Sequence, residues 1–155
     1  MQKQFVLKSQ EGNPIPRIIN WCGKVDIRKL NRREYRQLPS YFLLEMKTGM
    51  DVLYPDILLD PVFLVSREMM EILVRYDEEL PFLFVALFEV SKEESRAYFC
   101  PMLEESRSLQ DKPIYRLLKE DSSEIRIRLD LAEGIMAREG VGIALEEGCI
   151  YDEEK

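Results

Sequence analysis

The sequence predicts an α+β domain, with a few short helices packed on a mixed, largely antiparallel sheet. Strand, short helix and strand recur twice, from Val62 to Phe88 and from Ile125 to Leu145. Helices of about ten residues sit near the shortest crossover that can join parallel strands, so antiparallel pairing dominates the expectation. The polar loop Ser91–Ser95, between two apolar runs, has hairpin length and points the same way.

The elements follow in order. Phe5–Leu7 and Ile15–Trp21 are apolar stretches separated by Glu11-Gly12-Asn13-Pro14. That cluster favours a turn, because glycine and asparagine tolerate positive φ and proline fixes its own. The two stretches read as short strands, or as a strand and an irregular arm. RKLNRREYRQLP, from Arg28 to Pro39, is polar almost throughout and reads as a short surface helix stopped before Pro39. Tyr41–Met46 is a strand ended by Lys47-Thr48-Gly49, and MDVLYPDILLDP after it mixes apolar and turn residues without a firm assignment.

Val62–Val65 reads as a buried strand. Ser66 is placed to accept from first-turn amides, and Glu68 puts negative charge at the positive end of the helix dipole. Met69, Ile72, Leu73 and Tyr76 then recur at helical spacing and form one apolar face. Asp77-Glu78-Glu79 breaks the pattern. Phe82–Phe88 is apolar on both parities, the pattern of a strand covered on both faces. Ala97–Leu103 returns as its hairpin partner, and Glu104–Lys112 reads as a loop.

Ile114–Leu118 and Ile125–Leu129 flank the polar turn Lys119–Glu124. The second strand alternates, with Ile125, Ile127 and Leu129 opposite Glu124, Arg126 and Arg128, which predicts one wet face. Asp130 and Glu133 have the spacing of a capping box, and Gly140 stands where a left-handed residue would end the helix. Val141, Ile143 and Leu145 form the last strand before an acidic tail from about residue 146.

With 155 residues the chain suits one domain, 1–155, since single cores are typically built on roughly 100 to 150 residues. No apolar run approaches the roughly 18 to 20 residues that cross a bilayer. The polar N-terminus lacks the apolar core of a secretory signal, and the expected location is cytoplasmic. Cys22, Cys100 and Cys149 are odd in number and far apart, so they predict neither a disulfide framework nor a zinc site.

Histidine is absent. Without imidazole the Ser-His-Asp and Cys-His arrangements are unavailable, and acid or base work would fall to carboxylates, lysine or tyrosine. The net charge of −7 is uneven: Arg17–Lys47 carries eight basic and three acidic residues, which makes it +5 and the remainder −12. An acidic body repels nucleic acid and favours basic partners.

The motifs that invite chemistry have structural readings. Gly140-Val-Gly142 follows a helix and precedes a strand, the reverse of a phosphate-binding loop. Ser66 lacks the flanking glycines of a nucleophile elbow and reads as a helix cap. Asp56 with Asp60, and Asp77-Glu78-Glu79, read as solvated acids, with no metal or cofactor expected. The basic run Arg28–Arg36, with Tyr35 able to stack on a base, leaves a nucleic-acid-binding accessory protein as one alternative; a small enzyme using carboxylates is the other. Trp21 reads as core, while Tyr54 is a candidate interface anchor.

Asp51-Val-Leu53, then Pro61, Phe63, Leu64, Val65 and Ser66 leading into a helix that reaches Leu73, and Pro81-Phe82 opening a strand, together resemble the immunity-protein-eleven family of bacterial polymorphic toxin systems. The resemblance covers Asp51 to Leu103, about a third of the chain, on hydrophobic and helix-capping positions. It implies a cytoplasmic, non-enzymatic protein that binds and neutralises a cognate protein toxin. The matched positions are scaffold, so it transfers no binding residues. The expected contacts are Asp77, Glu78, Glu79 and Tyr54, with Asp152, Glu153 and Glu154 of the tail.

Overall fold

Alternating apolar residues build eleven strands in two sheets among residues 2–148, the part that the computed structural model describes. Cys149 and the expected contacts Asp152, Glu153 and Glu154 lie outside the described residues. The strands are β1 (Gln4–Ser9), β2 (Arg17–Ile19), β3 (Tyr41–Lys47), β4 (Ile57–Leu58), β5 (Leu64–Val65), β6 (Phe82–Glu89), β7 (Glu94–Pro101), β8 (Glu105–Ser106), β9 (Ile114–Leu118), β10 (Ser123–Arg128) and β11 (Ile143–Gly148). The α-helices are α1 (Arg67–Tyr76) and α2 (Leu129–Ala137).

One sheet has the order β11-β1-β10-β9-β8 and the other β2-β3-β6-β7-β5-β4. Pairing is parallel between β3 and β6 and between β8 and β9, and antiparallel elsewhere. The α+β class and largely antiparallel pairing match the expectation, although the strands divide between two sheets. Both strand-helix-strand units are split. β5 and β6 flank β7, and β10 and β11 flank β1. Each helix lies over its inserted strand, α1 on β7 and β5 and α2 on β1 and β10, and the two helices touch.

The helices and the first sheet enclose one core, with Leu7, Ile125 and Ile127 facing Met69, Ile72 and Leu73 of α1 and Leu131 and Ile135 of α2. A second core lies on the opposite face of the six-stranded sheet. There Phe42, Leu44, Met46, Leu83, Val85, Leu87 and Tyr98 pack under Trp21, Leu30, Tyr35, Leu38 and Tyr54. Full burial of a side chain such as Leu44 or Leu87 stabilises the fold by about 1.5–3 kcal/mol.

The structure corrects several local expectations. Arg28–Pro39 forms no α-helix; it contains two short 3₁₀ turns, at Ile27–Lys29 and Tyr35–Gln37. The reason is Asn31, whose buried carboxamide accepts from the amides of Arg33 (3.0 Å) and Glu34 (2.9 Å) and donates to the Arg28 carbonyl (3.0 Å). Such side-chain bonds compete with the helical ladder. The wet face expected on β10 is not wet at Arg126, which is 3% exposed. A loop folds over it, and Gln4, Gln110 and Tyr115 form a hydrogen-bonded group there, with the Tyr115 hydroxyl 2.9 Å from Gln4 Oε1 and Arg126 Nη1 3.4 Å from the same oxygen.

Asp130 does not cap α2 from outside. It sits in the first turn, accepting from Arg128 Nε at 2.8 Å and from the Leu131 amide at 2.9 Å. The left-handed residues after α2 are Glu139 and Gly142 rather than Gly140. MDVLYPDILLDP contributes the short β4, the Glu104–Lys112 loop contains β8, and Glu146 and Glu147 belong to β11.

Gly142 combines φ +74° with a close approach to Pro55, whose Cβ would lie 2.6 Å from an added methyl. Gly142→Ala is expected to cost about 1–2 kcal/mol and to lower the thermal midpoint. Gly49→Ala, with open space and an ordinary φ, should leave that midpoint within the change typical of a surface site.

Candidate protein-binding face

The six-stranded sheet is apolar on both faces, but only one of them is fully covered. Register places three rungs across β3, β6 and β7 on the second face: Tyr41, Phe84 and Phe99; Leu43, Ala86 and Ala97; Glu45, Phe88 and Ser95. Tyr41 is 57%, Leu43 56% and Phe84 38% exposed. The Phe84 and Phe99 rings meet edge-on with centroids 5.7 Å apart. Helix α1 covers this face only at the β5–β7 end, where the Arg67 guanidinium lies 5.2 Å from the Phe99 ring centroid and Val74 remains exposed. The expectation that Phe82–Phe88 is covered on both faces is therefore corrected. A contiguous apolar surface of this kind marks an interaction site more often than an accident of folding.

The far end of the sheet is pinned by a buried carboxylate. Glu89 accepts from the Thr48 hydroxyl at 2.6 Å and the Thr48 amide at 3.0 Å. Lys92 Nζ donates to the carbonyls of Thr48 (3.0 Å) and Gly49 (2.8 Å), which draws the Val90–Lys92 turn against the loop after β3. Met50 and Val90 stand exposed there.

The sequence-derived contacts fall in two separate places. The Tyr54 hydroxyl donates to Glu94 Oε2 at 3.2 Å, and Arg96 lies 4.1 Å from the centre of its ring. Partial burial and then the Glu94 carboxylate push its phenol above the usual value. Tyr54 shares a cavity with the first turn of α1. Asp77, Glu78 and Glu79 follow the other end of that helix, about 15 Å away for ten residues at 1.5 Å each.

Asp77 and Glu79 are engaged within the fold. Arg32 donates from Nη1 to Asp77 Oδ2 at 3.2 Å and from Nη2 to the Glu79 carbonyl at 3.3 Å, and lies 3.7 Å from Glu104. Glu78 is exposed and forms no ion pair among the described residues.

The basic run is partly engaged as well. Arg28 is held by Asp26 at 3.1 Å and Arg36 lies 5.9 Å from the Tyr35 ring centroid. Ser66 is a cap, as expected: its hydroxyl accepts from the Met69 amide at 3.1 Å and donates to Asp56 Oδ1 at 2.7 Å. Asp56 Oδ2 accepts from the Val141 amide at 2.6 Å, so this carboxylate fastens the turn before β11 to α1. Trp21 packs against the second core, as read from the sequence. Cys100 is buried and its thiol is pushed up to about 12, the state of an inert core thiol, whereas Cys22 is exposed. Among the described residues no group of three or more cysteine, aspartate or glutamate side chains is placed to hold a metal ion. No helix among them is long and apolar enough to cross a membrane.

Tyr41, Leu43 and Phe84 are not among the contacts expected from the sequence, although a signal for their exposed face is present in it. Apolar residues on both parities of β6, beside a β3 whose odd positions include Tyr41 and Leu43, are also what an unpartnered apolar face requires. No family model matches the chain, and no curated protein matches it.

The Thr48 hydroxyl and amide, helped by Lys92, hold the Glu89 carboxyl below the usual carboxylate range. A depressed folded value contributes stability that is present above the unfolded value, about 4.3 for glutamate, and is lost as pH falls through the folded one. Urea midpoints should separate wild type from Glu89→Gln by a constant margin above about pH 5, and the margin should shrink below about pH 4. A margin that does not change with pH would show that the carboxylate charge contributes nothing.

Proposed function

We propose that this chain is a non-enzymatic protein-binding domain, an immunity factor that neutralises a cognate bacterial toxin by stoichiometric occlusion. The observation that carries the reading is the uncovered face formed by Tyr41, Leu43, Phe84, Ala86 and Ala97 on the six-stranded sheet. Aromatic and aliphatic side chains held on paired strands lose little conformational freedom on binding, which makes them efficient anchors. The polar positions beside them, Glu45, Ser95 and Arg67, supply a rim.

The toxin as partner is supported by the resemblance of Asp51–Leu103 to an immunity family. That stretch also contains β6 and β7, which carry Phe84, Ala86 and Ala97 of the uncovered face, while Tyr41 and Leu43 come from β3 outside it. The acidic balance of the chain favours a partner whose surface is basic around an apolar centre. Asp77 contributes less to such a contact than the sequence implied, because Arg32 already pairs with it, whereas the Glu79 side chain remains exposed. Glu78 remains available on the same helix end.

The test uses the toxin polypeptide encoded beside the gene for this chain. The two should form a one-to-one complex, and co-expression should relieve growth arrest. Leu43→Arg and Phe84→Arg, each introducing charge at an exposed position, should weaken the complex by about 30-fold or more, the scale of a hot-spot residue. Folding is checked by an unchanged thermal midpoint. Complex formation unaffected by both substitutions would reject this face as the contact, and absence of any complex would reject the immunity role.

A further inference from the structure

The uncovered face has a shape that narrows what can sit on it. Its floor is β3 and β6, two strands about 4.8 Å apart, and α1 rises beside it over β5 and β7. Arg67, Met70 and Val74 share one side of α1, and Arg67 lies over Phe99, so this is the side turned to the floor. From Tyr41 to Lys47 the strand rises about 20 Å, the length of about 13 helical residues. A step of this width and length, apolar on floor and wall, has the dimensions of one α-helix.

The charge on this face has the opposite sign to that of the chain. Register places Arg17 directly opposite Lys47 across β2 and β3, on the side of the sheet that carries Tyr41 and Leu43. Both are exposed, as is Arg67, and none of the three forms an ion pair among the described residues. On the same side of β2, β3, β6 and β7 the one carboxylate among the described residues is that of Glu45, which accepts from Asn20 Nδ2 at 3.0 Å. Glu71 lies on the side of α1 opposite the buried Met69, Ile72 and Leu73, and so points away from the sheet. Three cations against one carboxylate leave this face at +2, in a chain of net charge −7. Like charges directly opposite one another across strands are destabilising, and no carboxylate among the described residues pairs with Arg17 or Lys47 to offset it.

We infer that the uncovered face seats an amphipathic α-helix of another protein, apolar along the floor and carrying carboxylates where it meets Arg17, Lys47 and Arg67. Helices recognised in grooves anchor through apolar residues at i, i+3, i+4 and i+7, a spacing that Tyr41, Leu43 and Phe84 can receive. An extended strand is a poorer occupant, because β3 and β6 are both paired on either side and offer no free backbone edge. A second copy of this chain is poorer as well, since it would set the same three cations against themselves. The inference rests on the reading of this chain as a protein-binding domain and names what the partner presents. Net charge acts on encounter at long range, whereas the side chains at the face decide what seats there. A partner basic overall and acidic along one helix satisfies both.

The probe is an acetylated, amidated peptide of about 18 residues, long enough to be helical, with leucine at i, i+3, i+4 and i+7 and alanine and glutamate elsewhere. Its counterparts carry lysine for glutamate, or the same residues in an order that destroys the leucine stripe. Titrated into the ¹⁵N-labelled full chain, the acidic peptide should shift the β3 and β6 amides saturably, and Phe84→Arg should abolish those shifts. Arg17→Glu and Lys47→Glu should each weaken its binding by about threefold or more and favour the lysine peptide instead. Each variant replaces a like-charge pair with an opposite one, so neither should lower the thermal midpoint. Equal or tighter binding of the lysine peptide, equal binding of the reordered one, or absence of saturable shifts would overturn the inference. Shifts of these amides on raising the protein concentration alone would assign the face to a second copy and also overturn it. If the neighbouring toxin forms no complex while the acidic peptide binds, the immunity role fails and this inference stands. A toxin complex sensitive to Leu43→Arg, with no binding of the acidic peptide, reverses the two.

Discussion

One helix about 10 Å across covers roughly two strands spaced 4.8 Å apart, and this mismatch governs the six-stranded sheet. α1 lies on β5 and β7 because its Met69, Ile72 and Leu73 stripe needs the apolar face there. Among the described residues no second helix lies over β3 and β6 on that side, and most of their outward residues there, Tyr41, Leu43, Phe84, Ala86 and Phe88, are not polar. The result is a sheet whose inner half behaves as core and whose outer half presents Tyr41, Leu43 and Phe84 to solvent. An antiparallel or mixed sheet with one wet face normally places polar side chains there. The departure from that rule is the physical basis for reading the face as a contact surface.

The opposite face of the same sheet is closed without a helix. An irregular segment carrying Trp21, Val25, Leu30, Tyr35 and Leu38 lies over Phe42, Leu44 and Leu87. Such a cover has few backbone bonds of its own, so it is fastened by side chains. Asn31 organises its turns, and Arg32 joins it to Asp77, Glu79 and Glu104 while its amide donates to the Leu103 carbonyl at 2.9 Å. The positive charge that made this segment look like a nucleic-acid footprint is in part structural, because a guanidinium can bridge several acceptors at once.

Charge is thus divided by place. Around Arg32 cations and carboxylates meet in ion pairs, whereas Arg67 and Arg96 are held over the rings of Phe99 and Tyr54. The net charge of the chain conceals this division.

The sequence by itself determined the local structure whose causes are short-range. Ser66 caps α1 because a hydroxyl reaches amides three residues away; the Met69, Ile72 and Leu73 spacing sets its buried stripe; the β6–β7 hairpin turns at Val90–Glu93, overlapping the expected loop Ser91–Ser95, whose Glu94 and Ser95 already belong to β7. The α+β class followed from those units. Only the tertiary structure decided which apolar faces found partners. The parity pattern of Phe82–Phe88 is the same whether Phe84 is buried or open, and Arg126 reads as solvent-facing until a loop from elsewhere in the chain folds over it. Likewise the cavity beside the first turn of α1 is lined by Tyr54, Arg67, Tyr98 and Val141, which lie far apart in the chain. Burial and charge pairing are properties of neighbours brought together by the fold, and neighbours of that kind leave no periodic trace along the chain.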